Sequence, residues 1–311
     1  MEWYDILLIV ILIILLLLLG LTYLCYLLTF NVNRKKEKKK DEFELPPGKV
    51  YLPFKEIILS AMKDAKKMEH KDFYINTFDN LKLHASYYEC QKGAPIEIMF
   101  HGYRGSALRD LSNGIERCFK LNHNALIVDQ RASGQSEGHI ISFGINEHKD
   151  CLCWINFVNK EFGENNKIIL TGISMGAATV CMASGLDLPK NVIGILADCG
   201  YDSPKKIIKK VIRQLHLPPF IFYPFVKLGA KIFGKFNLEE TSPEKQIKNS
   251  KVPIIFIHGE SDDFVPCEMS SNLFNICPTT KKLVTIPKAG HGLCYLVDSE
   301  LYINSLKEFF I

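Results

Sequence analysis

The sequence has no CxxC pair and no short, regular cysteine spacing, which excludes a readable zinc or dithiol redox motif and a disulfide scaffold. Its ten cysteines, at 25, 90, 118, 151, 153, 181, 199, 267, 277 and 294, are scattered. Several, such as Cys181, fall in apolar runs where a thiol behaves as a small hydrophobe, a usage that fits a reducing compartment. Strong net charge is also missing. Lys and Arg number 38 against 34 Asp and Glu, a formal balance of +4, which argues against nucleic acid as a partner. What is plentiful is apolar: 311 residues, 47% hydrophobic and 23% charged, can bury the core of one enzyme-sized domain or two small ones, so the chain is not mainly disordered.

From Ile6 to Phe30 the chain carries no charge. As a helix these residues would reach roughly 37 Å, enough to cross a hydrocarbon core of about 30 Å with some tilt. A cleaved signal peptide would need a basic start, a shorter apolar stretch and a small-residue cleavage site. Here the start is Glu2 and Asp5, so residues 1 to 30 are expected to be an uncleaved transmembrane anchor. Arg34, Lys35, Lys36, Lys38, Lys39 and Lys40 follow at once, within a polar segment, 31 to 48, that reads as a basic juxtamembrane linker. Short basic flanks stay cytoplasmic, so a single-pass protein of the cell membrane with its large domain in the cytoplasm is expected.

Residues 49 to 311 alternate compact apolar runs with helix-length segments, and no internal repeat interrupts them. Phe73 to Phe78 and Leu81 to Tyr88 flank Asp79-Asn80 as a hairpin. Six further runs begin at Ile96, Ala125, Ile168, Val192, Pro253 and Lys282. Strands alternating with helices predict an α/β fold: an eight-stranded, mostly parallel sheet with helices on both faces and its antiparallel hairpin at the start. Ligands collect at the carboxyl ends of such strands.

At one such end stands Gly172-Ile173-Ser174-Met175-Gly176, between an apolar strand and the small residues Ala177 and Ala178. A serine on a sharp strand-to-helix turn, flanked by glycines, is exposed for nucleophilic attack. Its hydroxyl needs a histidine to take the proton, and the histidine needs an acid to orient it. Glu260, Asp262 and Asp263 lie in the loop after the seventh strand, and His291 lies in Ala289-Gly290-His291-Gly292 after the eighth. Acyl transfer also needs donors for a developing oxyanion: the Met175 amide, and one from the loop His101-Gly102-Tyr103-Arg104 after the third strand.

With these residues the chain resembles the α/β-hydrolase superfamily over roughly residues 70 to 311, closest to its serine aminopeptidase-like branch, which also holds esterases and lipases. In that branch the acid takes the fifth place of an H-G-x-x-D-x-x-V-P segment, here His258 to Pro266, which implies Asp262; Asp263 becomes a solvated neighbour and Asp198 a reserve. The resemblance likewise implies His291 as the base and Tyr103 as the second oxyanion amide. The stretch Asp129 to Gly138 matches the family's D-x-R-x-x-G-x-S-x-G and reads as loop-shaping. His258 reads as structural and Arg104 as a solvated loop arginine.

The segment from about 203 to 246 is longer than a crossover needs and is expected to hold a helical cap. Lys227, Lys231 and Lys235 mark one face of a helix there and Leu228, Ile232 and Phe236 an apolar one. The expectation is a membrane-anchored serine hydrolase acting on small hydrophobic or acyl-containing substrates, bound to lipid through its N-terminal helix and needing no metal or organic cofactor. A serine peptidase, a thioesterase or acyltransferase, and a noncatalytic membrane-tethered binding module stay open. Sequence alone gives no oligomeric state.

Overall fold

The computed structural model describes residues 2–33 and 43–310; the basic run 34–40, on which the expected orientation rests, lies outside the described residues. Helix α1, Trp3–Thr29, realises the uncharged run, and Asp5 accepts a hydrogen bond from the Glu2 amide at its start. Among the described residues it is the one helix long and apolar enough to cross a membrane. Its leucine-rich N-terminal part is exposed, whereas Thr22, Cys25 and Tyr26, followed by Phe30 and Val32, are buried in the body of the protein.

A 3-10 helix, Lys49–Phe54, and helix α2, Lys55–Lys67, precede the sheet. Helix α2 was not anticipated, although its buried residues Ile58, Met62 and Ala65 sit at helical spacing. The strands are β1 Lys71–Asn76, β2 Lys82–Tyr88, β3 Ile96–Phe100, β4 Asn124–Asp129, β5 Ile168–Ile173, β6 Val192–Asp198, β7 Ile254–Gly259 and β8 Lys281–Ile286. They pair in the order β1-β2-β4-β3-β5-β6-β7-β8, with β1-β2 and β2-β4 antiparallel and the rest parallel, which is the expected eight-stranded, mostly parallel sheet. The hairpin turn is wider than Asp79-Asn80, because pairing stops at Asn76 and Lys82. Thr77 closes it instead: its hydroxyl donates to Asp79 at 2.6 Å and accepts from the Leu81 amide at 3.0 Å, while Arg131 holds Asp79 from outside.

Side-chain alternation divides the strands between two layers. Ile98, Phe100, Leu170, Ile195 and Phe256 pack toward helices α4, Glu147–Phe162, α5, Met175–Ala183, and α9, Cys267–Ile276. Met99, Ile127, Leu196 and Ile255 pack toward α2, α3, Ala107–Lys120, and α11, Ser299–Phe310, which the short α10, Cys294–Val297, precedes. Between β6 and β7 lie α6, Pro204–Gln214, α7, Pro219–Ile232, and α8, Pro243–Gln246.

The apolar face expected on α7 is corrected. Leu228 and Ile232 are 44% and 46% exposed, and Phe236 is buried beyond the end of the helix. The buried face is Tyr223, Val226, Gly229 and Ala230, because α1 packs there. A Cβ on Gly229 would stand 2.9 Å from the Thr22 carbonyl oxygen and 3.0 Å from the Tyr26 Cβ, so only glycine permits this crossing. Phe30 then meets Phe143 and Phe236 edge-on, at 5.9 and 5.2 Å between ring centres.

One charge interrupts the apolar β3. Glu97 is buried, bonded by Arg117 at 2.5 Å, His123 at 2.8 Å and Thr171 at 2.8 Å. Burial alone would push its carboxyl up, but the Arg117 guanidinium and the hydrogen bonds from His123 and Thr171 hold it at about 2.

Two measurements follow from this packing. Gly229→Val should cost about 1–3 kcal/mol by prising α7 from α1, read as a lower melting temperature of the full chain in detergent. The depressed Glu97 carboxyl contributes stability that is complete above its ordinary value of 4.5 and lost as pH falls toward about 2. Glu97→Gln should therefore be less stable than the parent at neutral pH, yet lose less stability between those two pH values.

Candidate active site

The turn from β5 into α5 sets the geometry. Ser174 lies there with φ 57° and ψ −115°, a left-handed strained conformation that turns its side chain out of the sheet end. The two glycines of the motif are required by proximity: a Cβ on Gly172 would sit 2.1 Å from the Gly176 oxygen, and one on Gly176 2.0 Å from the Phe100 oxygen. The Ser174 amide donates to the Asp198 carbonyl at 2.8 Å, tying the turn to β6.

Three sequence-predicted residues meet here. His291 Nε2 lies 2.8 Å from Ser174 Oγ, and His291 Nδ1 lies 2.6 Å from Asp262 Oδ2. A carboxylate only accepts, so Nδ1 carries the proton and Nε2 is left to accept from the serine hydroxyl. Burial would raise the Asp262 carboxyl, but hydrogen bonds from His258 and His291 hold it well below the usual carboxylate range. Its other oxygen accepts from the Phe264 and Val265 amides at 2.9 and 2.8 Å. The loop stays in place through fully buried His258, whose ring contacts the Val265 carbonyl at 2.9 Å and the Ser270 hydroxyl at 2.7 Å.

The other acids are not brought to the imidazole. Asp263 is exposed, its carbonyl oxygen accepting from Lys210. Asp198 is buried with Oδ2 accepting from the Tyr302 hydroxyl at 2.8 Å. Cys199, Asp262 and His291 offer donor atoms within 4.8 Å of one another, as a metal site would. Both ring nitrogens of His291 are already engaged by Asp262 and Ser174, and burial holds the Cys199 thiol well above its ordinary value, hence protonated.

The loop after β3 lies against the serine: a Cβ on Gly102 would stand 3.5 Å from Ser174 Cβ. Its backbone is set by Asp110 of α3, whose carboxylate accepts from the Gly102 amide at 3.1 Å. Asp129 organises the neighbouring loop by accepting from the Gln135 and Ala107 amides, and Arg131 pairs with Asp150, so this stretch is loop-shaping.

Two contacts escaped the sequence reading. Arg104 is not simply solvated: it donates to the carbonyl oxygens of Leu28 and Asn31, at 3.0 and 3.1 Å, and the Tyr103 hydroxyl donates to that of Thr29 at 2.7 Å. The loop beside Ser174 is thus fastened to the carbonyl end of α1. Tyr51 of the 3-10 helix also lines the site, and burial next to Cys199, Asp110 and Asp262 keeps its hydroxyl protonated. No motif marks either; both depend on partners far away in the chain.

Around Ser174 and His291 opens a cavity of about 600 Å³, walled largely by apolar side chains such as Val50, Ile58, Leu111 and Leu293. That volume suits a small-molecule ligand.

No family model matches the chain. YqkD, an uncharacterized protein of Bacillus subtilis, is 25% identical over 213 residues, covering 68% of this chain and 70% of the relative. An uncharacterized membrane protein of Saccharomyces cerevisiae, YNL320W, is 26% identical over 195 residues, 60% of this chain and 61% of that one. Among solved structures, the Pyrococcus furiosus esterase Pf2001 superposes with a TM-score of 0.59 and 25% identity, covering 79% of this chain and 92% of the esterase. Est1E from Butyrivibrio proteoclasticus, with ferulic acid bound, gives 0.58 at 21% identity over 76% and 97%. The strand order, the serine turn and these neighbours agree: the chain has the α/β-hydrolase fold.

Proposed function

We propose that this protein is a serine hydrolase that cleaves carboxylic esters or related acyl bonds while held at a membrane by α1. The observation that carries the chemistry is the unbroken chain Ser174–His291–Asp262, 2.8 and 2.6 Å long, on a serine in a strained turn. Ser174 Oγ attacks the acyl carbonyl as His291 Nε2 takes its proton, and Asp262 stabilises the imidazolium that forms. The amides of Met175 and Tyr103 hold the oxyanion. His291 returns the proton to the leaving group, and a water activated by the same imidazole then releases the acyl group. The likeness to the Pf2001 esterase supports an ester substrate, and the ferulic acid bound to Est1E is a carboxylic acid of the kind an ester would release.

The packing of α1 supports an anchor over a cleaved signal. Removing residues 1 to 30 would strip Tyr26 and Phe30 from contacts with Phe143, Phe233 and Phe236, opening a hole in the core around α7. The basic run after α1 supports a cytoplasmic hydrolase domain.

In the full chain, a fluorophosphonate probe should label Ser174, and Ser174→Ala should abolish labelling and lower hydrolysis of a p-nitrophenyl ester by a factor on the order of a million. Equal turnover by that variant would remove the assignment. On sealed, right-side-out vesicles, added protease should spare the hydrolase domain until the membrane is permeabilised; its digestion from outside would reverse the topology.

A further inference from the structure

The length of α1 fixes where a bilayer can meet the domain. From Trp3 to Gly20 its side chains are exposed, Asp5 being half-buried, and the domain takes hold only from Leu21 onward. Thr22 and Tyr26 lie against Gly229 of α7, and the rings of Tyr23 and Tyr26 stand 4.9 and 5.7 Å from that of Phe233 at the end of the same helix. A helix from residue 3 to residue 20 reaches about 27 Å and a hydrocarbon core is about 30 Å thick, so a bilayer spanned by α1 takes up the whole free stretch. No length is left over as a stalk. Residues 21 to 26 then rise roughly 8 Å through the headgroup layer, and α7, packed beside them, is brought into that layer.

The face that α7 turns outward suits that place. Ile221, Leu228 and Ile232 lie on one side of the helix, opposite the buried Tyr223, Val226 and Ala230. Phe220, in the first turn, is 78% exposed, and Leu215 and Leu217 are exposed just before the helix. Lys227 pairs with Glu239, but Lys231 beside the stripe and Lys235 beyond the helix end, both exposed, meet no carboxylate among the described residues. Contiguous apolar side chains on a surface mark a place that something covers. Edged by lysines, they make the composition of a helix lying in a membrane interface, with its apolar side chains below the headgroups and its ammonium groups among anionic ones. A second copy docked face to face would instead set these lysines against their own counterparts.

We propose that the outer face of α7, with Phe220, Ile221, Leu228 and Ile232 as its apolar part and Lys231 and Lys235 as its basic edge, is a second membrane contact. It seats the hydrolase domain on the bilayer next to α1. The assignment rests on α1 crossing the membrane and adds a surface of the domain itself to the anchor.

The test reads tryptophan fluorescence of the full chain reconstituted in vesicles of phosphatidylcholine and phosphatidylserine, with and without bromine near the headgroup end of the acyl chains, which quenches an indole that reaches it. The chain has two tryptophans. Trp154 is buried in the core, and Trp3, at the start of α1, reports the span. In a Trp3→Phe background, Phe220→Trp and Leu228→Trp put an indole on the proposed face. Glu164→Trp puts one in the exposed loop before β5, at the amino end of the strands, whereas α1 joins the domain at their carboxyl end. Brominated lipid should quench the indoles at 220 and 228 several times more strongly than the one at 164. Quenching at 220 and 228 no greater than at 164, while Trp3 of the parent is quenched, would overturn the contact. So would a blue shift there that grows with protein concentration and ignores bromine, which would give the face to a second copy. Both substitutions fall on exposed side chains, and a melting temperature in detergent close to the parent's checks that each variant folds; if one does not, the other decides. Failure of the anchor looks different: Trp3 itself escapes quenching, which would remove the span and the contact together.

Discussion

The site depends on how closely the end of β5 and the start of α5 approach the end of β3. With no side chain at 172 or 176, the backbone of α5 sits directly against the Phe100 and Gly172 peptides, and Ser174 is forced to φ 57° to make the corner. The strain is borne by packing on every side: the Ser174 amide is tied to β6, and Met175, Ala177 and Ala178 are fully enclosed. A serine held this way has little conformational freedom left.

Asp262 and His291 are positioned by a different physical device. Asp262 is kept ionised in a buried place by the convergence of two backbone amides and two imidazoles, and only one of those, His291, faces the serine. His258, at the end of β7, is fully enclosed and bonded at one nitrogen to the Val265 carbonyl and at the other to Ser270 of α9, so it pins the loop that carries Asp262 to that helix. Within this loop position 263 is exposed, while position 262 is buried with an oxygen 2.6 Å from His291 Nδ1.

Much of this was legible in the chain because it is local. Strand runs, the G-x-S-x-G turn and the two strand-end loops each declare themselves within a few residues, and the order of acid before histidine follows from the order of strands. Contacts between distant elements were not legible. The Leu228 and Ile232 stripe looked like a core face by periodicity, yet the interface went to the side where Gly229 and Ala230 let α1 come close. Small residues at a crossing carry no hydrophobic signal of their own, so periodicity reads past them. The hairpin turn failed for a similar reason: Thr77 and Arg131 act through side-chain bonds that turn propensities do not contain.

The same kind of contact joins α1 to the loop beside Ser174. An α-helix ends with carbonyl oxygens that lack partners and a partial negative charge, and here Arg104 and Tyr103 meet those of Leu28, Thr29 and Asn31. Arg104 itself adopts φ 53°, so the loop is bent to make the contact. The loop after β3 is thus held from two sides, by Asp110, which accepts from the Gly102 amide, and by the end of α1, which accepts from Arg104. A helix joined only through a slack linker would leave that loop indifferent to it. One whose carbonyl end accepts the loop's hydrogen bonds, and whose Phe30 fills the core, is part of the folded unit, and its position is fixed at the same loop that lies against Ser174.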